Sequence, residues 1–262
     1  MRSLNKLRVQ SALVFSDVHL SDDAPALTQG LLQWLAKAVL SNPVKPDALL
    51  VLGDLFDAWI GDDALNETAP SGAGRQMVNT LLQISAQGVQ VGIMHGNRDF
   101  LLAEAFANQC GAFLMQDPFV LEIDHGPIIA LTHGDLLCTA DAAYQQFRSQ
   151  VRTPAWQSAF LSQPLAARVA AAKKIKETSN HEKAGKDMQI MDITPSAAAA
   201  LTDSLAADLL VHGHTHRPGC STMPNGKARW VLSDWEVTDA HHNTLRGGGI
   251  WIDANGPQVR GI

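Results

Sequence analysis

The sequence predicts an α/β fold built on a mixed β-sheet, and three observations lead to that prediction. Short apolar runs rich in β-branched residues recur along the chain, as buried strands do. Segments with apolar residues three or four positions apart separate the early runs, which indicates alternating strands and helices. Two runs, 119–123 and 128–131, flank a short polar turn that suits a hairpin, so part of the sheet should be antiparallel.

Five apolar runs are predicted to form core strands, and polar residues follow each of them. These runs are 12–15, 48–52, 89–94, 128–131 and 209–211. Residues 27–40 carry Leu27, Leu31, Leu35 and Val39 at spacings of four, which predicts a helix with one apolar face. A similar face predicts a second helix over 75–87. Further strands are predicted at 229–232 and 249–252.

Residues 138–195 differ from the rest of the chain. They contain an alanine-rich stretch at 166–172 and no convincing strand, which predicts a helical insertion between two core strands. Within 141–192, eight lysines and arginines stand against five acidic residues, although the whole chain has a net charge of −6. A stripe of apolar residues is predicted to pack the insertion onto the core or to line a groove. Its members are Trp156, Phe160, Leu161, Leu165 and Val169.

The composition indicates a single globular domain over residues 1–262 and excludes several classes of protein. Hydrophobic residues make up 46% of the chain and charged residues 18%, which argues against disorder. With 20 basic residues and 26 acidic ones, the chain lacks the overall positive charge that is typical of nucleic-acid-binding proteins. Three widely spaced cysteines argue against a disulfide scaffold and favour a reducing compartment. No apolar run approaches the roughly 18 residues of a membrane span.

Seven oxygen or imidazole donors follow the five predicted core strands. They are Asp17, His19, Asp54, Asn97, His133, His214 and His216. Ligands of open α/β sheets bind at the carboxyl ends of the strands, so we expect these side chains to meet there. Such donors suit manganese, zinc, iron or cobalt. Seven donors match two ions that share a bridging carboxylate, for which Asp54 is the natural candidate, and paired ions catalyse phosphoryl displacement.

The motifs around these donors resemble those of the calcineurin-like metallophosphoesterase family. They are Asp17-x-His19, Gly53-Asp54, Gly96-Asn97-Arg98-Asp99, His133 and Gly213-His214-x-His216. The resemblance implies a two-sheet β-sandwich flanked by helices. It also implies a first metal site made by Asp17, His19, Asp54 and His216. The second site would use Asp54, Asn97, His133 and His214, so that Asp54 bridges the two.

Arg98 bears on which phosphate bond is cleaved in the reaction that this resemblance implies. In much of the superfamily a histidine at this position protonates the leaving group, but an arginine side chain keeps its proton because its pKa exceeds about 12. Arginine can instead neutralise phosphate charge with a planar fork of donors. A phosphate-monoester leaving group, whose second pKa is near 6, needs little protonation. Arg98 therefore favours pyrophosphate cleavage over monoester hydrolysis.

A closer resemblance is to the UDP-2,3-diacylglucosamine diphosphatase (hydrolase) family of lipid A biosynthesis. It rests on Gly-Asp-Leu-Phe-Asp at 53–57, Leu-Thr-His-Gly-Asp at 131–135 and His-Gly-His-Thr-His-Arg-Pro at 212–218. The resemblance implies an enzyme with two Mn²⁺ ions per chain. A metal-activated water would attack the phosphorus next to uridine, giving UMP and 2,3-diacylglucosamine 1-phosphate (lipid X). It also implies that 138–195 forms a substrate lid, and that the protein lies peripherally on the cytoplasmic face of the inner membrane.

The same resemblance implies substrate contacts inside and outside the metal motifs. Asn97 and Arg98 are the expected catalytic residues. The expected substrate-binding residues are Asn97, Arg98, Asp141, Ser179, Lys183, Lys186 and His214. Lys183 stands where the family pattern suggests asparagine, and Lys176 where it suggests arginine.

Several residues close to the donors in the sequence are expected to support the site. We expect Asp57, Asp99 and Asp135 to support the ligand imidazoles, because such imidazoles usually donate their second nitrogen to a carboxylate or carbonyl. We expect His95 and His212 to pack at strand ends.

One alternative function is a dinuclear phosphoesterase acting on a soluble nucleotide or dinucleoside polyphosphate. Another is a non-catalytic scaffold, which the complete donor set disfavours.

Overall fold

A curled mixed sheet carries the fold, and eleven strands form it in the part of the chain that the computed structural model describes. That part is 4–67, 72–184, 192–239 and 244–262, without the side chains of 178–184. The strands of this sheet are β1 (Leu4–Val9), β2 (Ala12–Phe15), β3 (Ala48–Leu52), β4 (Gln90–Met94), β5 (Ala112–Ile123), β6 (Ile128–Thr132), β7 (Leu209–His212), β8 (Gly219–Thr222), β9 (Ala228–Val231), β12 (Gly248–Asp253) and β13 (Gly256–Gly261). A small antiparallel sheet pairs β10 (Glu236–Asp239) with β11 (Thr244–Arg246).

Helices flank the sheet. They are α1 (Pro25–Leu35), α2 (Ala73–Ala86), α3 (Glu104–Cys110), α4 (Ala142–Val151), α5 (Pro154–Leu161), α6 (Leu165–Ala184) and α7 (Pro195–Ser204). A π-helical turn, Ala36–Leu40, extends α1, and short 3₁₀ turns lie at Asp62–Asn66 and Asp135–Leu137. The predicted helices at 27–40 and 75–87 are therefore confirmed. The described residues of 138–195 contain α4, α5 and α6 and no strand.

Parallel pairing aligns the strand ends that matter for the site. The central order is β13-β12-β2-β3-β4-β5-β6-β7-β9-β8, and β1 pairs with β5. Strands β2, β3 and β4 are parallel and in step, so Phe15 lies opposite Val51 and Leu52 opposite Met94. Strands β6 and β7 are also parallel, with Thr132 opposite His212. Their carboxyl ends therefore meet at two neighbouring stretches of one sheet edge.

The long strand β5 joins the two halves of the sheet. Its residues 112–115 pair with β4, and residues 119–122 pair in antiparallel fashion with β6, which confirms the predicted hairpin. One apolar cluster contains residues from both halves, including Leu50 and Leu131, so the sheet curls over its own inner face. We expected two separate sheets, but the hydrogen bonding runs unbroken through β5, and the separate second sheet is the β10–β11 pair.

Two further apolar layers cover the outer faces. Alternate residues of β2, β3 and β4, such as Phe15 and Val51, pack with α1 and α2 in the largest cluster. A smaller cluster places α7 against β6 and β7. The five predicted core strands are confirmed to within one residue, because each carries an apolar run buried on both sides. In the described residues, none of the helices has the length and apolarity needed to span a membrane.

The strands that sequence analysis missed lie mostly at the periphery. Strand β8 is exposed along all four residues, and β13 is largely exposed, so neither carries the apolar pattern of a buried strand. Strand β1 is also mostly exposed and pairs with β5 alone among its described neighbours. Their pairing is decided by the edges that the core strands leave open.

Candidate metal centre

The predicted donors lie on loops that immediately follow the core strands. Five of the seven adopt a left-handed backbone, with φ of 53° at Asp17, 57° at His19, 50° at Asp54, 67° at His214 and 53° at His216. Among the described residues, the other non-glycine positions with positive φ are His125 and Ala206. Such conformations cost about 1–3 kcal/mol each and persist where the surroundings enforce them. Their concentration on these loops marks a functional site.

One group of donors gathers around Asp17. The Nε2 atom of His216 lies 3.4 Å from Asp17 Oδ1 and 3.3 Å from Nε2 of His19. One ligand atom from each of these three residues falls within a common 4.8 Å, close enough to share an ion. The expected first site is therefore brought together, with Asp54 Oδ2 lying 3.8 Å from Nδ1 of His19.

A second group gathers around Asn97 and His133. The Oδ1 atom of Asn97 lies 3.0 Å from Nε2 of His133 and 2.8 Å from Nδ1 of His214. Asp54 Oδ1 lies 3.7 Å from His133 Nε2. Asp54 therefore faces a histidine of each expected site, through a different oxygen in each case. Asp17 also belongs to both of the groups that could hold an ion, the second being Asp17, Asp54 and His133.

Backbone contacts and glycines hold the loops at this short separation. Asp99 accepts hydrogen bonds from the amides of Asp54, Leu55, Phe56 and Gly96, at 2.8–3.3 Å. A Cβ atom at Gly96 would overlap Asp54 Oδ1, and one at Gly213 would overlap Asp17 Oδ2. These two positions therefore require glycine because a carboxylate donor occupies the space of the missing side chain.

Burial and charge perturb the donors strongly. Burial raises the pKa of Asp54 to about 7 and lowers the pKa of His19 to about 4. Burial opposes the charged form of His133, but the charges of Asp54 and Asp17 outweigh it and raise its pKa to about 9. Burial also opposes ionisation of Asp17, yet its contacts with His216 and His133 lower its pKa overall. The cluster therefore holds buried charge of both signs within a few ångströms.

The backbone amide and the guanidinium of Arg98 make separate contacts at the same site. Its backbone amide donates to Asp54 Oδ1 at 2.8 Å. Its guanidinium lies 3.8 Å from Asp57 Oδ1. The other oxygen of Asp57 pairs with Lys176 of α6. Asp57 therefore links the arginine beside the metal centre to a helix of the 138–195 segment.

The first helix of that segment also contacts the loops of the donors. Tyr144 donates its hydroxyl to Asp135 at 2.6 Å, and its ring stacks on the ring of His214 with centroids 6.2 Å apart. Arg148 donates to Asp135 at 2.8 Å. Arg152 donates to the carbonyl of Gly96 at 2.8 Å, next to Asn97. Asp135 therefore binds α4 instead of a ligand imidazole.

The remaining predicted residues lie at a helix cap, at strand ends or outside the described part of the chain. Asp141 is buried and caps α4, where it accepts from the amide of Tyr144. The side chains of Ser179 and Lys183, and the whole of Lys186, lie outside the described residues. His95 packs at the end of β4 with Nε2 2.6 Å from the carbonyl of Leu102, and buried His212 lies 2.9 Å from Arg229 Nε.

Asp234 lies next to the donor cluster and was not predicted from the sequence. Its Oδ2 atom is 3.5 Å from Nδ1 of His216. Asp99 binds backbone amides, and Asp57 binds Arg98 and Lys176, so the expected carboxylate partner of an imidazole is Asp234 instead. Asp234 lies in the loop after β9, and its approach to His216 leaves no signal in the local sequence.

With this geometry in place, comparison with known proteins identifies the family. The family model for the calcineurin-like phosphoesterases matches residues 11–218. The chain belongs to the calcineurin-like phosphoesterase family. The matched range includes all seven candidate donors and Arg98, and the family is the one that the motifs resemble.

Relatives of nearly the same length add detail. The chain is 41% identical over 259 residues to the UDP-2,3-diacylglucosamine hydrolase of Bordetella pertussis, covering 97% of this chain and 96% of the relative. It is 42% identical over 235 residues to the protein of that name from Xanthomonas campestris, covering 86% and 91%. Among solved structures, an archaeal phosphodiesterase aligns with a TM-score of 0.47 and 11% identity, over 96% of this chain and 98% of the other.

Proposed function

We propose that the protein hydrolyses the pyrophosphate bond of UDP-2,3-diacylglucosamine in lipid A biosynthesis. The products would be UMP and 2,3-diacylglucosamine 1-phosphate. The observation that carries the proposal is the 41% identity, over nearly the whole of both chains, to a protein named UDP-2,3-diacylglucosamine hydrolase. The family match to phosphoesterases supports the same class of reaction.

The donor set suits two divalent ions, for which we propose Mn²⁺. Asp17, His19, Asp54 and His216 would hold one, and Asp54, Asn97, His133 and His214 the other. Two donor atoms, Asp17 Oδ1 and His19 Nδ1, are buried without a hydrogen-bond partner in the described part of the chain. Buried polar atoms are rarely left unsatisfied, so both support a bound cation. When bound, such ions supply a nucleophilic water at neutral pH and stabilise the charge of the phosphoryl group.

Arg98 would bind the pyrophosphate and neutralise its charge. Its side chain is 18% exposed and lies against one carboxylate at 3.8 Å, so the guanidinium keeps donors for a phosphate. His95 is not placed to protonate a leaving group, because its Nε2 lies 2.6 Å from the carbonyl of Leu102. The leaving lipid phosphate needs little protonation, and a site with arginine as its cation suits that leaving group.

Helices α4, α5 and α6 would form a lid over the substrate. Lys176 on α6 reaches Asp57 beside Arg98, and Arg152 after α4 reaches the loop that carries Asn97. Asp141, Ser179, Lys183 and Lys186 on or near this segment are the proposed contacts to the nucleotide sugar. Exposed apolar side chains also lie there, namely Phe147, Leu161 and Val169. We propose that such side chains meet the acyl chains and a peripheral contact with the membrane.

The test is a substrate panel with the purified full-length protein. With Mn²⁺, we expect UMP to be released from UDP-2,3-diacylglucosamine and excess EDTA to abolish the release. Undiminished turnover in excess chelator would contradict the two-metal site. A soluble dinucleoside polyphosphate serves as the second substrate, and comparable turnover of it would favour a general nucleotide phosphoesterase over the lipid substrate.

A further inference from the structure

Asp234 lies beside the donor cluster, next to the exposed histidine His216. His216 is 40% exposed, against 1% for Asp17 and 20% for His19, so packing restrains its ring less than theirs. Its Nε2 faces Asp17 Oδ1 at 3.4 Å, and Nδ1, at the other side of the ring, faces Asp234 Oδ2 at 3.5 Å. The imidazole is therefore held between two carboxylates.

The surroundings hold Asp234 in place. Asp234 is 9% exposed, and Arg246 of β11 donates to its Oδ2 at 2.7 Å. Arg246 also pairs with Glu236 of β10 at 2.9 Å. The next residue in the chain, Trp235, donates its backbone amide to the carbonyl of Asp17 at 3.1 Å. The loop that presents Asp234 is thus tied to the loop of a donor on one side and to the small sheet on the other.

We propose that Asp234 is a positioning residue that orients His216 for metal binding, with Arg246 holding Asp234. A carboxylate that accepts the second ring N–H of a ligand imidazole selects its tautomer, fixes its orientation and raises its basicity. The small β10–β11 sheet then has a role in the site, because it supplies the arginine. The inference rests on the proposed function, since it requires His216 to be a ligand.

The test compares Asp234→Asn with the control Glu236→Gln in the full-length protein. Glu236 shares Arg246 but is 56% exposed and makes no contact with His216 in the described structure, so its loss removes a similar charge without touching the imidazole. Stepwise titration of the metal-free proteins with Mn²⁺ measures the affinity of each ion. We expect Asp234→Asn to weaken one ion by about 10- to 100-fold, and Glu236→Gln to change both by less than about twofold.

Measuring turnover distinguishes a positioning role of Asp234 from a general loss of the folded structure. At saturating Mn²⁺ we expect Asp234→Asn to recover most of the wild-type kcat with little change in KM for the substrate, because excess metal compensates for a weakened ligand. If Asp234→Asn fails to fold, as seen by circular dichroism, the exposed Arg246→Gln replaces it, with a smaller loss of affinity for the same ion.

Two outcomes are distinguishable. A folded Asp234→Asn protein that binds both ions as the wild type does would overturn this inference and leave the proposed function intact. A wild-type protein that binds no Mn²⁺ and releases no UMP would overturn the proposed function itself.

Discussion

Replacing Arg98 by alanine should distinguish the proposed substrate contact from the proposed metal site, because the backbone amide and the guanidinium of this residue make separate contacts. The backbone amide of Arg98 holds Asp54 Oδ1 at 2.8 Å and survives any change of side chain. The guanidinium makes one loose pair, 3.8 Å from Asp57, with both side chains partly exposed. Such a pair contributes less than about 1 kcal/mol, so the variant should fold and keep its metal.

The expected loss is in turnover. Removing one preorganised donor from a developing phosphoryl charge costs about 100- to 1,000-fold in rate, or about 3–4 kcal/mol. Arg98→Lys keeps the charge without the planar fork and should lie between the alanine variant and the wild type. The assay is UMP release with Mn²⁺, giving kcat and KM, alongside metal content by elemental analysis.

The control for this experiment is Arg260→Ala on the edge strand β13. Arg260 contacts Gln258 and the Trp251 ring, away from the donor loops, and should leave turnover unchanged. The reasoning is refuted if Arg98→Ala loses its Mn²⁺, or if it hydrolyses the substrate at the wild-type rate with metal bound.

Three further predictions concern the loops and helices around the centre. Gly96→Ala should abolish binding of at least one Mn²⁺, because its Cβ would overlap Asp54 Oδ1, and elemental analysis measures this. Tyr144→Phe should lower the free energy of unfolding by about 1–3 kcal/mol in urea, because buried Asp135 loses a donor at 2.6 Å. The metal-free protein should lose stability in urea as the pH rises from about 6.5 to about 9. Burial lowers the pKa of His133 but carboxylates raise it to about 9, so its proton stabilises the folded state only below that pH.

Each of these has its own contradicting result. Gly261→Ala is the control for Gly96→Ala, since a Cβ there meets nothing within 4 Å, and equal metal loss in both variants would refute the steric argument. Tyr144→Phe with wild-type stability would mean that its hydrogen bond to Asp135 contributes little. A flat stability profile between pH 6.5 and 9 would show that the proton on His133 does not stabilise the metal-free fold.

Much of the site was accessible to sequence reasoning because each donor follows a buried strand. A run such as 48–52 is apolar on both faces, and the polar residue that follows it must leave the sheet at its carboxyl end. The register places these ends together, since Leu52 and Met94 are partners and the loops begin directly after them. The donors therefore converge because the parallel strands that carry them end at the same edge of the sheet.

Contacts between loops were not accessible in this way. Asp234 belongs to a loop after β9, far along the chain from Asp17, and its approach to His216 depends on how the small sheet supplies Arg246. Asp135 was expected to support an imidazole, but α4 supplies Tyr144 and Arg148 to it instead. Polar side chains with several possible partners are paired by proximity, which local sequence does not encode.

The sequence by itself determined the buried strands, the helices between them, the seven candidate donors and the class of chemistry, since these follow from apolar periodicity and from residue type. Only the tertiary structure decided that one continuous sheet curls through β5 and that exposed strands such as β8 and β13 complete it. It also decided that Asp234 flanks the centre and that Asp57 pairs with Arg98 and Lys176. The physical reason is the distance along the chain over which each kind of interaction acts. Burial patterns are local and repeat every few residues, whereas edge pairing and charge pairing depend on which groups the folded core brings within a few ångströms.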